Sequence, residues 1–303
     1  MHTKEIGKNR FLIDLETGGI QKIVASYVLK GDKTVIVETG PSSSISSLLS
    51  GLNELSVKTE DVAYVAVSHV HIDHSGGAGA LLRFLPKAKL VVHPKGVPHL
   101  VNPEKLWLQA KEVLGEVAEI FGEPVPVPEN KIIGATGGMT FDFGNNLGLK
   151  VIETLGHASH HLSYYDYVNK GIFPGDASGI YLSEFKAIVP TTPPPFRLEA
   201  ALVSLEKLIR LKPEKLYFSH FGVASDAVKR LQEYAVQIHL WADIALEGVK
   251  NNRNFEEIQK RILSEDKVMR NIAEYLKSRP IYAKTVLENS VQGFIELAVT
   301  TQR

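Results

Sequence analysis

A histidine-rich segment in the first third of the chain constrains the fold most strongly. Residues 65–77 read Val-Ala-Val-Ser-His-Val-His-Ile-Asp-His-Ser-Gly-Gly, which places His69, His71, Asp73 and His74 within six residues. The apolar residues before them predict a buried strand, and the glycines after them predict the start of a helix. Because open α/β sheets carry their sites at the carboxyl ends of strands, we expect the four polar side chains on such a turn.

The composition of this turn favours a metal site. Imidazole and carboxylate groups are ligand types that zinc binds. Alternate side chains of a short turn, His69 and His71, can face one cation while Asp73 and His74 face a neighbouring one. A solvated histidine-rich turn is the alternative, but so dense a cluster of ligand types is rarely without function. The chain has no cysteine, so any metal must be held by histidines and carboxylates.

Three more candidate ligands follow strand-like runs later in the chain. They are His157 after residues 149–155, Asp176 at the end of Gly-Ile-Phe-Pro-Gly-Asp, and His220 at the end of Lys-Leu-Tyr-Phe-Ser-His. If one edge of the sheets carries the site, these residues lie beside the histidine-rich turn. A carboxylate such as Asp176 can bridge two cations about 3.5–4 Å apart with a water between them.

The ordered set of motifs resembles the metallo-β-lactamase-fold hydrolase superfamily. The superfamily motif His-x-His-x-Asp-His is matched by the turn from His69 to His74, and the resemblance covers about residues 11–222. The resemblance implies two metal sites with a shared bridging carboxylate. In such proteins the first zinc would be held by His69, His71 and His157, the second by Asp73, His74 and His220, with Asp176 bridging the two.

The resemblance, closest to the glyoxalase II and lactonase-like branch, implies hydrolysis. We expect a binuclear zinc enzyme, with iron or manganese as alternative cations, in which a metal-bridging hydroxide attacks an ester, thioester or lactone. His71 stands where redox di-iron relatives have Glu, which favours hydrolysis over oxygen chemistry. Asp73 would ligate a metal and face the water, so it is the candidate catalytic proton acceptor. A phosphodiesterase of the same fold and a metal-binding scaffold without catalysis remain alternatives.

Other residues near the motifs are candidates for supporting or substrate roles. His160 and His161 adjoin His157 and are expected either to orient a ligand by hydrogen bonding or to pack in the core. Tyr181 is expected either to reach a polarised substrate carbonyl or to be a core aromatic. The proline-rich segment 190–196 is irregular backbone, and it is expected to wall the substrate pocket or to be an ordinary connecting loop. Glu38 precedes Thr-Gly where many members of the superfamily have Asp.

The hydrophobic pattern divides the chain into two parts. Two β-rich halves flanked by helices, among them predicted helices at 103–121 and 197–210, favour an α/β fold, a four-layer αββα sandwich, over residues 1–224. Residues 225–303 are predicted as a mainly helical extension, with amphipathic helices at 227–249, 255–263 and 268–276 and an apolar helix or tail at 282–299. The extension is expected to pack on the sandwich or cover the metal cleft, and a homodimer surface is left open.

The amino-acid composition indicates which kinds of molecule the protein can bind. The chain has 34 acidic and 34 basic residues, so it lacks the net positive charge that would attract nucleic acid or an anionic membrane. An apolar content of 44% in 303 residues supports a sizeable core, and the chain has neither a membrane-length apolar run nor the apolar region of a secretory signal. We therefore expect a cytoplasmic enzyme that acts on a small molecule.

Overall fold

The computed structural model describes residues 2–145 and 147–301 and has the predicted four-layer αββα architecture. Two β-sheets pack face to face, and helices cover their outer faces. In the first sheet the strands follow chain order, antiparallel from β1 to β4 and parallel from β4 to β7. Its strands are β1 Thr3–Gly7, β2 Arg10–Asp14, β3 Ala25–Lys30, β4 Thr34–Val37, β5 Val62–Ala66, β6 Lys89–Val92 and β7 Ile132–Gly134.

The second sheet has the strand order β15-β14-β11-β10-β9-β8, with a separate hairpin formed by β12 and β13. Its strands β9, β11 and β14 run in one direction, because β10 is antiparallel to both β9 and β11 and β14 is parallel to β11. The strands are β8 Thr140–Asp142, β9 Gly148–Glu153, β10 Leu162–Asp166, β11 Gly171–Phe173, β12 Ile180–Leu182, β13 Ala187–Val189, β14 Lys215–Phe218 and β15 Gly222–Ser225.

Alternation along the strands separates two apolar layers. In β4, Val35 and Val37 belong to the cluster between the sheets, whereas Ile36 belongs to the cluster under the helices. Successive side chains of a strand point to opposite faces, so a run of apolar residues serves both layers. Tyr27 and Tyr164 lie in the inter-sheet layer, and each phenolic hydroxyl donates to a backbone carbonyl, Phe218 O at 2.6 Å and Val67 O at 2.7 Å.

Helices pack on both sheets: α1 contacts β2 of the first sheet and α7 contacts β9 of the second. On α7 the buried residues Ala201, Leu205 and Leu208 recur at the spacing that places side chains on one face. The helices are α1 Ile45–Glu54, α2 Ile72–Ser75, α3 Ala78–Leu81, α4 Val97–Val101, α5 Glu104–Leu114, α6 Glu116–Phe121, α7 Leu198–Arg210, α8 Ala227–Lys250, α9 Phe255–Glu265, α10 Lys267–Lys277, α11 Pro280–Tyr282 and α12 Val291–Thr301, with a π-helix at Ala283–Ser290 between the last two.

Two helix predictions differ from the structure in detail. The single helix expected at 103–121 is broken into α5 and α6 at Gly115, whose φ of 58° and ψ of −131° only glycine adopts easily. The last helical segment contains the π-helix instead of continuous α-helix. Periodicity predicted apolar faces in both cases, but it does not resolve a one-residue break or a change of helix type.

The C-terminal helices pack on the rest of the chain. Helix α8 contacts α7 and β13, α12 contacts α8 and α9, and the π-helix contacts α5. The domain boundary after residue 224 stays a prediction, since β15 spans it at Gly222–Ser225. No helix within residues 2–145 and 147–301 combines the length and apolarity needed to cross a membrane.

Candidate active site

The histidine-rich turn leaves the carboxyl end of β5, as the sequence predicted, but the helix begins earlier than the glycines indicated, because α2 already contains Asp73 and His74 and α3 follows at Ala78–Leu81. His69 and His74 are fully buried, whereas His71 and Asp73 are partly exposed and line a cleft. The backbone N–H of His74 donates to the carbonyl of His71 at 3.0 Å, which closes the first turn of α2. This tight turn places four potential ligand groups on one short piece of backbone.

One triad consists of three imidazoles. His157 follows β9 and brings its Nε2 to 3.0 Å from Nδ1 of His71. Nε2 of His69 lies 2.8 Å from the same His71 nitrogen. The three side chains can therefore each present one nitrogen to a common point. We call His69, His71 and His157 the first triad.

A second triad lies beside the first and combines two imidazoles with a carboxylate. Nε2 of His220, which follows β14, is 3.1 Å from Nε2 of His74 and 3.4 Å from Oδ2 of Asp73. Nε2 of His74 lies 3.9 Å from the same carboxylate oxygen. We call Asp73, His74 and His220 the second triad, and its three ligand atoms also converge.

Asp176 lies between the two triads, with one carboxylate oxygen facing each. Its Oδ2 is 3.5 Å from Nε2 of His157 in the first triad. Its Oδ1 is 3.3 Å from Nε2 of His74 and 3.6 Å from Nε2 of His220 in the second. The short 3₁₀-helix Gly175–Ser178 after β11 holds the residue in this position. This is the placement that a bridging carboxylate needs.

The hydrogen bonds around the triads leave lone pairs directed inward, which fits metal binding. Nδ1 of His157 donates to the carbonyl of Thr191 at 2.8 Å, and Nδ1 of His220 donates to the carbonyl of Ile23 at 2.9 Å. In the neutral form of each ring the single N–H is at Nδ1, so Nε2 is then an acceptor turned towards the site. Oδ1 of Asp176 is buried without a hydrogen-bond partner among the described residues. These donor sets suit divalent cations.

Burial keeps the first triad neutral. Burial, with His74 as the next cause, holds the pKa of His69 well below its usual value. Burial and the neighbouring His157 lower the pKa of His71 to about 3. The pKa of His157 is also lowered by burial, against the opposing carboxylate of Asp176. A neutral imidazole is the form that binds metal, so the first triad is ready to bind at neutral pH.

Carboxylates dominate the electrostatics of the second triad. Burial opposes protonation of His74, but Asp176, Asp73 and Glu38 outweigh it and raise the pKa of His74 well above its usual value. The pKa of His220 is raised in the same way, against burial, by Asp176 and by its hydrogen bond to Asp73. Against the effect of burial, His74 and His220 lower the pKa of Asp176 and bring that of Asp73 to about 2.

Glu38 supports the second triad. Its Oε1 lies 3.3 Å from Nδ1 of His74 and accepts a hydrogen bond from the Ser219 hydroxyl at 3.1 Å. Its Oε2 accepts from the backbone N–H of Ser68 at 3.3 Å. The longer carboxylate found here before Thr39 therefore still reaches the ligand set. The sequence did not mark Ser68 or Ser219 by function, although each directly precedes a predicted ligand.

His161 contacts the backbone of Asp176. The ring is fully buried, and its Nε2 accepts a hydrogen bond from the backbone N–H of Asp176 at 3.1 Å. Its Nδ1 lies 2.9 Å from the hydroxyl oxygen of Thr154. Because Nε2 accepts, Nδ1 carries the proton and donates to Thr154. This hydrogen bond corresponds to the orienting role among the two considered from the sequence, and its effect on a metal ligand stays a prediction.

His160 and Tyr181 lie on different sides of this arrangement. The ring of His160 lines the cleft, with ring centroids 6.3 Å from His69 and 6.2 Å from His99. Tyr181 is 6% exposed, its ring stacks on Phe218 at 5.1 Å, and it is not among the residues that line the cleft. Its place matches the core-aromatic alternative, because β12 turns the ring towards the helix-covered core.

A cleft of about 500 Å³ opens onto the partly exposed candidate ligands His71 and Asp73. Its walls include residues of α5 and the three prolines 193–195, and Thr285 and Asn289 of the π-helix also line it. The proline-rich segment and the C-terminal extension both contribute to the cleft. The volume lies in the range of small-molecule sites.

The comparisons with known proteins agree with this fold. The family model described as the metallo-beta-lactamase superfamily matches residues 20–220. Metallo-beta-lactamase fold-containing protein ST1585 from Sulfurisphaera tokodaii is 31% identical over 255 residues, covering 81% of this chain and 92% of that protein. Its crystal structure, described as that of an archaeal metallo-beta-lactamase superfamily protein from Sulfolobus tokodaii, matches with a TM-score of 0.66 and 27% identity over 91% of this chain and 93% of that one.

Two more solved structures share the fold at lower identity. Metallo-beta-lactamase family protein TTHA1429 from Thermus thermophilus matches with a TM-score of 0.67 and 20% identity, covering 92% of this chain and 89% of that one. The chemotaxis sensor ODP, in a structure of its peroxy diiron species, matches with a TM-score of 0.57 and 14% identity, covering 77% of this chain and 93% of that one. The family match, the relative at 31% identity and the His/Asp cluster point to a metal-dependent hydrolase, and the chain belongs to the metallo-beta-lactamase superfamily.

Proposed function

We propose that this chain is a cytoplasmic binuclear zinc hydrolase that acts on a small-molecule ester, thioester or lactone. The observation that carries the proposal is the position of Asp176, whose two oxygens face two separate triads of ligand atoms. A single metal site would not need a carboxylate placed in this way. Histidine and carboxylate donors without cysteine suit zinc, while the di-iron chemotaxis sensor of the same fold keeps iron as the alternative to be tested.

The first triad would hold one cation, the second triad the other, and Asp176 would touch both. When bound, the cations would polarise the substrate carbonyl oxygen and lower the pKa of a water. Hydrolysis adds this water across the acyl C–O or C–S bond, so that the products are a carboxylic acid and an alcohol or thiol.

Asp73 is the proposed proton acceptor. Its side chain lines the cleft and is held 3.4 Å from His220. The pKa of Asp73, about 2, keeps the carboxylate charged at neutral pH. In that form Oδ1 or Oδ2 can accept a hydrogen bond from a water and orient it towards the carbonyl carbon. A proton taken by so weak a base is held only briefly and passes to the departing oxygen or sulfur.

The proposal is tested by metal analysis together with a substrate panel. Purified protein is expected to contain about two zinc ions per chain and to cleave at least one ester, thioester or lactone. His71→Ala should abolish cleavage, whereas the matched control His239→Ala, which removes an exposed imidazole of α8, should not. Fewer than one metal per chain would refute the metal centre. A preference for phosphodiesters over every acyl substrate would refute the acyl assignment.

A further inference from the structure

The cleft has an extended apolar surface beside the candidate metal centre. Leu106, Ala110 and Val113 of α5 line it, and they recur at the spacing of one helix face. Pro193, Pro194 and Pro195 add further apolar surface that carries no backbone N–H groups. These walls offer an acyl chain apolar contact and few hydrogen bonds.

Apart from the proposed cations, the cleft is lined by carboxylates and by no lysine or arginine among the described residues. The exposed Glu112 of α5 is one of these lining residues. The nearby ammonium of Lys111 lies 5.3 Å from the centroid of the Trp107 ring instead of lining the cleft. Proteins bind carboxylate and phosphate groups mainly through arginine, lysine or helix N-termini. Away from the proposed cations, an anionic leaving group would meet no cationic side chain among the described lining residues, and the carboxylate of the exposed Glu112 would oppose it.

Two carboxamides add polar contacts without charge. Gln109 of α5 and Asn289 of the π-helix both line the cleft. A carboxamide both donates and accepts hydrogen bonds, so it suits an uncharged ester, amide or lactone head group. π-helical turns occur often at functional sites, and this one brings the C-terminal extension to the cleft.

We propose that the cleft selects an uncharged acyl substrate, whose apolar chain lies along α5 and the prolines 193–195, and rejects acyl compounds with a multiply charged leaving group. This inference rests on the proposed function and narrows its substrate class. Because the acyl chain makes apolar contacts, substrate affinity should rise with the length of that chain. Because Glu112 is negatively charged, substrate affinity should fall when the leaving group is anionic.

Binding of straight-chain primary amides tests the apolar part without requiring turnover. Calorimetry on the zinc-loaded protein should give an affinity that rises about three- to fourfold per methylene, the equivalent of about 0.8 kcal/mol, until the cleft is filled. Ala110→Trp and the more exposed Val113→Trp should remove this dependence. Val203→Trp, an exposed position of α7 that does not line the cleft, is the control and should retain it. An affinity independent of chain length in the unchanged protein would overturn the inference.

The charge part is tested with two octanoyl thioesters, one of an uncharged thiol and one of coenzyme A. The uncharged thioester should have the higher kcat/KM, and Glu112→Lys should shift the ratio towards the coenzyme A thioester at least threefold at low salt and less at high salt. Preference for the anionic thioester in the unchanged protein would overturn the inference. Cleavage with no dependence on chain length would overturn the inference and leave the proposed function in place. Length-dependent amide binding without cleavage of any acyl substrate would refute the proposed function, and with it the substrate assignment, and would leave only an apolar binding surface.

Discussion

The imidazole of His157 donates from Nδ1 to the backbone carbonyl of Thr191 at 2.8 Å, which turns its Nε2 towards His71. The segment that carries Thr191 is itself tied to the C-terminal extension. The backbone N–H of Thr192 donates to the Ser290 hydroxyl at 3.1 Å, and the Thr192 hydroxyl donates to the Ser290 carbonyl at 3.2 Å. The π-helix is thereby connected to the orientation of a proposed metal ligand.

We expect Ser290→Ala to weaken metal binding at the first triad. The change removes the hydroxyl that accepts from Thr192 and leaves a buried N–H without its partner, which costs about 1–3 kcal/mol of stability. Groups that orient a ligand typically change metal affinity by about 10–100-fold when mutated. Chelator titration with zinc counting measures this, with Ser278→Ala at the exposed end of α10 as control. Lost stability with unchanged zinc affinity would show that Ser290 only holds the fold.

Glu38→Gln should weaken the second triad selectively. The carboxylate lies 3.3 Å from Nδ1 of His74, and the amide keeps its size while it removes its charge. We expect zinc affinity at the second triad to fall about 10–100-fold and affinity at the first to change little. Glu153→Gln, a carboxylate 3.6 Å from His93 that belongs to neither triad, is the control. Equal weakening of both sites would contradict a role for Glu38 at His74.

Proton release should distinguish the two triads. The pKa of His74 is raised well above its usual value, and that of His220 is raised, because Asp176 and Asp73 outweigh burial, so these two rings hold their protons to higher pH than the first triad does. The pKa of His71 is lowered to about 3 by burial, so this ring is already neutral. Protons compete with metal for imidazole nitrogen. Zinc affinity at the second triad should therefore rise with pH through neutrality. Zinc affinity at the first triad should change less between about pH 5 and 8.

Calorimetry in buffers of different ionisation enthalpy counts the protons displaced by zinc. His220→Ala leaves the first triad intact and His157→Ala leaves the second. Zinc binding to His220→Ala should therefore release fewer protons per zinc than zinc binding to His157→Ala. Equal release by both variants would mean that the carboxylates do not hold protons on the second triad.

A stability prediction concerns the buried pair formed by Arg10 and Asp166. Nε of Arg10 lies 2.7 Å from Oδ2 of Asp166, and both side chains are almost fully buried. Arg10→Met leaves the Asp166 charge buried without its cation, and we expect a loss of about 3–5 kcal/mol in the free energy of unfolding. Urea denaturation measures it, and the exposed pair of Arg210 with Glu206 provides the control Arg210→Met, which should change little. A small effect of Arg10→Met would show that Asp166 is solvated or neutralised in its absence.

Local motifs in the sequence predicted most of the candidate site. The turn from His69 to His74 concentrates its ligand types in six residues, and His157, Asp176 and His220 each follow a strand whose carboxyl end lies at the same edge. The αββα architecture could be predicted because apolar runs and amphipathic faces are read directly from residue order. The ligand assignment itself remains a prediction until metal is counted.

Contacts between distant segments could not be predicted in this way. Thr192 and Ser290 are 98 residues apart, and neither residue type nor spacing marks them as partners. The contribution of Asn289 to the cleft depends on how the C-terminal helices pack against α5. The core position of Tyr181 depends on which face of the short strand β12 is covered. Each of these follows from tertiary packing, which hydrophobic periodicity alone does not specify.

The most direct test of the account is the number of zinc ions bound by Asp176→Ala, compared with the unchanged protein and with His157→Ala and His220→Ala. The unchanged chain should bind two, and each histidine variant should retain about one, in the triad that is left intact. Asp176→Ala should weaken both sites, because its Oδ2 faces His157 while its Oδ1 faces His74 and His220. If Asp176→Ala retained two zinc ions with unchanged affinity, Asp176 would not bridge them and the binuclear arrangement proposed here would be wrong.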